Sequence, residues 1–134
     1  MNPDRKRVLI IDGSPISLVW QLVLLQEEQL DTLTATHADE GVRIARMELP
    51  DLVVIDVATR TAEGLAACRE LRTAPETSRI PIMLLLSRGL GGTSMRIDVE
   101  FEESITRPFD GAEYLMRIRR CLEWCATSAG RSPA

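Results

Sequence analysis

Short, nearly unbroken apolar runs alternate along the chain with longer segments in which apolar residues recur at helical spacing. Arg7 to Ile11 is a β-rich run that ends in Asp12-Gly13. Ser14 and Pro15 then predict a helix start, a capping hydroxyl followed by proline at the first helical position. The pattern carries this helix to about Glu28 and predicts a second strand over Asp31 to Thr36. Ala38, Val42, Ala45 and Leu49 mark one helical face that stops at Pro50. Asp51 to Asp56 is an apolar run between two acids, the pattern of a strand covered on both faces. Leu65, Cys68 and Leu71 stripe the next helix, and Ile80 to Leu86 reads as another buried strand. Glu103 to Thr106 is weakly strand-like, and Asp110 caps a last helix reaching about Ala126.

Five strand–helix repeats require a parallel sheet, because right-handed crossovers lay the helices on both of its faces. The expected fold class is therefore α/β, a (βα)5 doubly wound sheet of five strands. In such sheets the working groups gather at the carboxyl ends of the strands. Asp12, Asp56 and the residues just after Leu86 and Thr106 should converge on one edge. With 134 residues there is room for about one domain. It is expected over residues 5–126, with 127–134 a flexible C-terminal tail.

Composition narrows the picture. A chain that is 45% hydrophobic and 27% charged is neither disordered nor collagen-like. A net charge of −4 and few aromatic residues argue against a nucleic-acid partner. The longest apolar stretch, Ile16 to Leu25, is interrupted by Ser17 and Gln21 and is too short to span a bilayer, so no membrane insertion is expected. The N-terminus lacks the pattern of a secretory signal, and three cysteines without framework spacing fit a reducing, cytoplasmic setting. Cys121 and Cys125 lie four apart on a helix, but no histidine or further cysteine is near to complete a metal site.

Two carboxylates at neighbouring strand ends can hold a hard divalent cation and leave one oxygen as a nucleophile. They can equally serve as plain helix-side caps. Four segments, in order and correctly separated, decide the matter. From Arg7 to about Cys125 the chain resembles the receiver domain of bacterial two-component response regulators, a flavodoxin-like fold. Val8 to Pro15 is similar to the first receiver strand and its acidic pair, with Gly13 replacing the second acid. Pro50 to Val57 resembles the segment ending in the phosphoacceptor aspartate. Glu63-Gly64-Leu65 matches the Asp-Gly-Leu that opens the third helix. Arg107-Pro108-Phe109 resembles the Lys-Pro-Phe turn after the fifth strand, where the peptide bond before proline is usually cis.

The resemblance implies that Asp56 takes a phosphoryl group from the phosphohistidine of a histidine kinase or phosphotransfer protein. It implies Mg²⁺ held by Asp12, Asp56 and the backbone carbonyl of Ala58, weakened by the loss of an acid at Gly13. Arg107 would contact the phosphoryl group in place of the family's lysine, with the same charge and a different shape. Leu86 stands where the family has a hydroxyl residue; Ser87, one position on, points to the other face of a regular strand and reaches the site only through a bulge. Ser104 replaces the family's switch aromatic. The acceptor is kept while the usual read-out pair is missing.

Other motifs weigh less. Gly89, Gly91 and Gly92, followed by Thr93 and Ser94, fail both the P-loop and the dinucleotide-binding patterns, and a flexible loop with a short or irregular fourth helix is expected there. Phosphatase chemistry from a strand-end aspartate needs a second acid two residues on, where Ala58 stands. His37 is isolated. The first helix, by contrast, carries more apolar residues than one buried face requires, Leu18 and Trp20 among them, and Tyr114, Cys121 and Trp124 form a second stripe on the last helix. These five are the expected partner surface, for the phosphodonor, a downstream protein or a second copy of the chain. Two readings follow: a single-domain, non-enzymatic receiver with an atypical site, or a pseudo-receiver that works through protein contacts without phosphorylation.

Overall fold

The apolar runs become five parallel strands, and the segments of helical period become the helices between them. A computed structural model describes residues 4–88 and 97–129, with side chains as far as Glu123. Its elements are β1 (Arg7–Ile11), α1 (Pro15–Glu27), β2 (Asp31–Ala35), α2 (Ala38–Glu48), β3 (Leu52–Asp56), α3 (Thr61–Thr73), β4 (Ile82–Ser87), β5 (Glu103–Arg107) and α4 (Gly111–Ala129). The helix expected between β4 and β5 would involve residues 89–96, which lie outside the described residues, as do 130–134 of the expected tail. Residues 127–129 instead continue α4.

Local chemistry sets the ends as the sequence predicts. Ser14, extended at φ −93°, accepts a hydrogen bond from the Ser17 N–H, and Pro15 takes the first helical position of α1. Asp110 accepts from the Glu113 N–H at 2.8 Å and starts α4. At its other end α2 closes on Leu49, which is left-handed at φ 48°, before Pro50.

The strand order is β2-β1-β3-β4-β5, all parallel. Because side chains alternate across a strand, the sheet serves two cores. Leu9, Ile11, Val53, Ile55, Ile82 and Leu84 pack under α2 and α3. Val8, Ile10, Val54, Met83, Leu85 and Ile105 pack under α1 and α4. Each fully buried aliphatic side chain contributes about 1.5–3 kcal/mol, and β1, β3 and β4 place them on both faces. Ile97, Val99 and Phe101 lie against the α2/α3 core.

The sheet order reverses between β1 and β3, and there the chain leaves in opposite directions to open a crevice at the carboxyl edge. Asp12 follows β1 and Asp56 ends β3. By alternation both turn towards the α1/α4 side. Gly64 keeps α3 tight against this edge: a Cβ there would lie 2.8 Å from Val57 Cγ1 and 3.1 Å from the Asp56 carbonyl oxygen. Val57 is fully buried and β-branched, so it has little room to yield. Gly64→Ala is expected to destabilise the fold by about 1–3 kcal/mol, read as a lower urea midpoint with an unchanged slope.

Candidate functional site

At the crevice floor, Asp12 is 1% exposed and its carboxylate is enclosed by donors. Oδ1 accepts the Ser14 N–H at 2.9 Å. Oδ2 accepts the Ser17 hydroxyl at 2.6 Å and Gln21 Nε2 at 2.9 Å. Ser17 and Gln21 are one turn apart on α1, so a single helix face reaches the same oxygen. The chain of contacts continues: the Tyr114 hydroxyl of α4 donates to Gln21 Oε1 at 2.7 Å. Burial, then Asp12, raises the Tyr114 phenol further above its ordinary pKa, so it remains a donor.

Asp56 lies at the same edge and is 8% exposed. Its Oδ1 accepts the Ala58 N–H at 2.9 Å and its Oδ2 the Thr59 hydroxyl at 3.1 Å. Burial pushes its carboxyl above the usual aspartate range. The Ala58 N–H pulls it down, Asp12 pushes it up, and Arg107 and Thr59 pull it down more weakly. A cavity of about 70 Å³ opens on Asp56, lined among others by Gly13, Thr36, Thr59, Arg60 and Glu63.

Arg107, the last residue of β5, joins the two acids. Its peptide bond to Pro108 is cis, as the resemblance implies. One guanidinium nitrogen lies 3.6 Å from Asp56 Oδ1. The other donates to the Ser17 hydroxyl at 2.5 Å and lies 3.7 Å from Asp12 Oδ2. The group sits 5.7 Å over the ring of Phe109, which supports it from below.

The site residues expected from the sequence fare differently. Asp12, Asp56 and Arg107 are brought together. Ala58 presents its N–H to Asp56. Leu86 packs against the α2/α3 core. Ser87 pairs in register with Arg107 in an unbulged strand, on the opposite face of β4 from Leu86. This is the α1/α4 face that Asp56 shares, so the expectation that it needs a bulge to reach that side is corrected, although no hydrogen bond links it to Asp56 among the described residues. Ser104 is held by α4, its carbonyl accepting from Arg117, which also pairs with Glu103 at 2.9 Å. His37 precedes α2 with its Nδ1 3.2 Å from Arg60.

The expected partner surface needs correction. Tyr114 and Cys121 are 0% and 2% exposed, so neither faces a partner. The two stripes on α4 merge into one wide buried face that joins the core shared with α1 and the sheet, with Tyr114 against Gln21 and Trp20 of α1 and Cys121 beside Phe101, Glu102 and Glu103. Burial raises the Cys121 thiol to about 12, which keeps it from acting as a thiolate. Leu18 is half-buried against the same core. Trp20 is 38% exposed, packed against Phe109 and Tyr114 at ring distances of 5.6 and 5.4 Å. The Trp124 side chain lies outside the described residues. The exposed apolar stripe is Ile16, Val19, Trp20 and Val23, one complete helical face.

Ser17, Gln21 and Thr59 complete the site and were not singled out from the sequence. The signal for two of them was present: polar residues at i and i+4 interrupt an otherwise apolar helix just after a strand-end acid.

These residues fit a magnesium centre poorly. Mg²⁺ asks for open oxygens at about 2.0–2.1 Å in octahedral array, whereas Asp12 is inaccessible and every carboxylate oxygen of the pair already has a donor. Among the described residues no group of three acids, histidines or cysteines is placed to bind a metal.

A parallel sheet in the order β2-β1-β3-β4-β5 with a strand-end acid pair and a cation at the end of β5 has the form of a receiver-type α/β domain. The chain belongs to the response regulator receiver domain family, whose profile it matches over residues 8–119. It is thus a module of two-component signalling. PilH of Pseudomonas aeruginosa is 33% identical over 82 residues, 61% of this chain and 68% of PilH. The DNA-binding dual master transcriptional regulator RpaA of Synechocystis is 29% identical over 117 residues, 87% of this chain and 48% of RpaA, so the chain spans about half of that relative. Among solved structures, the receiver domain of a Pseudomonas aeruginosa sensor histidine kinase, described with a magnesium ion in its active site cleft, superposes with TM-score 0.79 at 20% identity. The match covers 91% of this chain and 98% of that one. A CheY-like receiver from Methanospirillum hungatei gives TM-score 0.80 at 18% identity, over 93% of this chain and 99% of that one. Both likenesses concern the fold. No helix among the described residues is long and apolar enough to cross a membrane.

The raised pKa of Asp56 has a thermodynamic sign. A carboxyl whose folded pKa exceeds its unfolded value contributes stability below the unfolded pKa, and that contribution is lost as pH rises through the folded one. At neutral pH the buried charge therefore opposes folding. Asp56→Asn is expected to raise the melting temperature by a few degrees at pH 7, the gain shrinking as pH is lowered through the acid range. Melting curves across that range check it; a gain independent of pH contradicts the assignment.

Proposed function

We propose that this receiver accepts a phosphoryl group on Asp56 from a histidine kinase or phosphotransfer protein and reports it through contacts of α1. One observation carries the reading. Asp56 combines a carboxylate at the mouth of a small cavity with a cation, Arg107, 3.6 Å away. A carboxylate held in this way has the placement of a nucleophile for a dianionic phosphoryl group, which needs positive charge beside it more than covalent help. Around it, the Ala58 N–H and the Thr59 hydroxyl hold the carboxylate in one orientation.

The solvent-facing stripe of Ile16, Val19, Trp20 and Val23 supports a docking role for α1, since aromatic and aliphatic anchors on one helix face suit a partner helix. The stripe stands beside Arg107, Pro108 and Phe109, and Trp20 and Ser17 share a surface depression with them. A phosphodonor bound there would sit next to the acceptor.

A second reading, contact without phosphorylation, is favoured by β4 and β5. Leu86 faces the wrong core to meet a phosphoryl oxygen, and Ser104 carries no aromatic ring. One experiment separates the two. Incubation with phosphoramidate should add the mass of one phosphoryl group to the intact protein, and Asp56→Asn should abolish the gain. Absence of any gain at saturating donor would leave the contact module.

A further inference from the structure

The acceptor site lacks an acid at position 13, yet its two remaining carboxylates do not face each other uncompensated. The charge between them is supplied by the protein itself. Arg107 directs one guanidinium nitrogen at Asp56 and the other at Ser17 and Asp12, at 3.6, 2.5 and 3.7 Å. It is held on two sides, by the Phe109 ring 5.7 Å beneath it and by the Ser17 hydroxyl. Its side chain is 32% exposed, open enough to meet an incoming group.

Resting on the acceptor reading above, we propose that the Arg107 guanidinium is the resident counter-cation of this site, so that phosphoryl transfer to Asp56 proceeds without a divalent metal. Three features carry it. Asp12, the acid a metal would share with Asp56, is closed off by Ser14, Ser17 and Gln21. Gly13 offers no replacement carboxylate. The cation already present is a planar fork of donors that can face two phosphoryl oxygens in a fixed, bidentate geometry. Its interaction with Asp56 is a contact at 3.6 Å rather than a tight hydrogen bond, so the nitrogen is free to turn to a better acceptor.

The reaction with a small donor balances without a metal. An Asp56 carboxylate oxygen attacks the phosphorus of phosphoramidate, an O–P bond forms and the P–N bond breaks. Ammonia leaves with the protons its nitrogen already carries. The product is a dianionic acyl phosphate facing Arg107, while Asp12 keeps its hydrogen bonds from α1.

The test is the rate of phosphoryl gain by the whole protein, measured by intact mass with phosphoramidate in EDTA and in millimolar Mg²⁺. Equal rates in the two conditions are expected. A gain confined to Mg²⁺ overturns the inference and leaves Asp56 as acceptor. No gain in either condition removes both. Arg107→Gln, verified as folded by its melting curve, should lose the gain by roughly 100-fold in both conditions, the scale for removing a preorganised charge-stabilising donor. Retention of the wild-type rate in EDTA by that variant overturns the role of Arg107. Gly13→Asp is the complementary variant. A Cβ at position 13 meets nothing nearer than the Thr36 carbonyl oxygen at 3.4 Å, so the acid fits the fold. Stimulation by Mg²⁺ that first appears with Gly13→Asp is the expected counterpart.

Discussion

The structure depends on the neutralisation of one buried charge. Asp12 sits at the floor of the crevice with its side chain wholly out of water. Breaking such a group away from its partners costs about 3–5 kcal/mol, enough to threaten a domain of this size. The donors that satisfy it come from the N-cap of α1, from the same helix one and two turns on, and from the end of β5. The angle of α1 on the sheet and the path of the β5 turn are therefore set by a common point. Tyr114 extends the constraint to α4 through Gln21.

This explains which parts of the molecule were legible in the sequence. Strands covered on both faces read as continuous apolar runs, so β1, β3 and β4 were visible with the two acids at their ends. Caps at Ser14 and Asp110 mark helix starts by local chemistry and were found for that reason. Arg107 was recognisable from the Pro-Phe that follows it. The donors Ser17 and Gln21 were harder to identify, because their role needs Arg107 and Tyr114, which come from the far end of the chain. Periodicity alone cannot show what covers a helix face. It therefore placed Tyr114 and Cys121 outside, whereas both lie in the core between α4 and the sheet, Tyr114 closed over by α1. The same ambiguity hid the exposed stripe of α1 among its many apolar residues.

The departures from the family pattern form a consistent set once the geometry is known. Replacing an acid by Gly13 removes one negative charge from the crevice. Replacing the lysine by Arg107 keeps one positive charge and spreads it over nitrogens that reach both remaining acids. Removing the hydroxyl at Leu86 turns the end of β4 into core. At Ser104 the chain offers a small hydroxyl side chain where the family pattern has an aromatic ring.

The groups that touch Arg107 identify the part of the surface most closely connected to Asp56. Ser17 and Phe109 meet the guanidinium directly, and Trp20 packs on Phe109. Val19 and Val23 share the exposed face with Trp20. A charge that draws the Arg107 guanidinium further towards Asp56 pulls on its bond to Ser17, a residue of α1. Closely packed interiors transmit such displacements rather than absorb them. The exposed apolar face of α1 and the Asp56 carboxylate are thus joined through one guanidinium, which touches Ser17 of α1 on one side and lies 3.6 Å from Asp56 on the other.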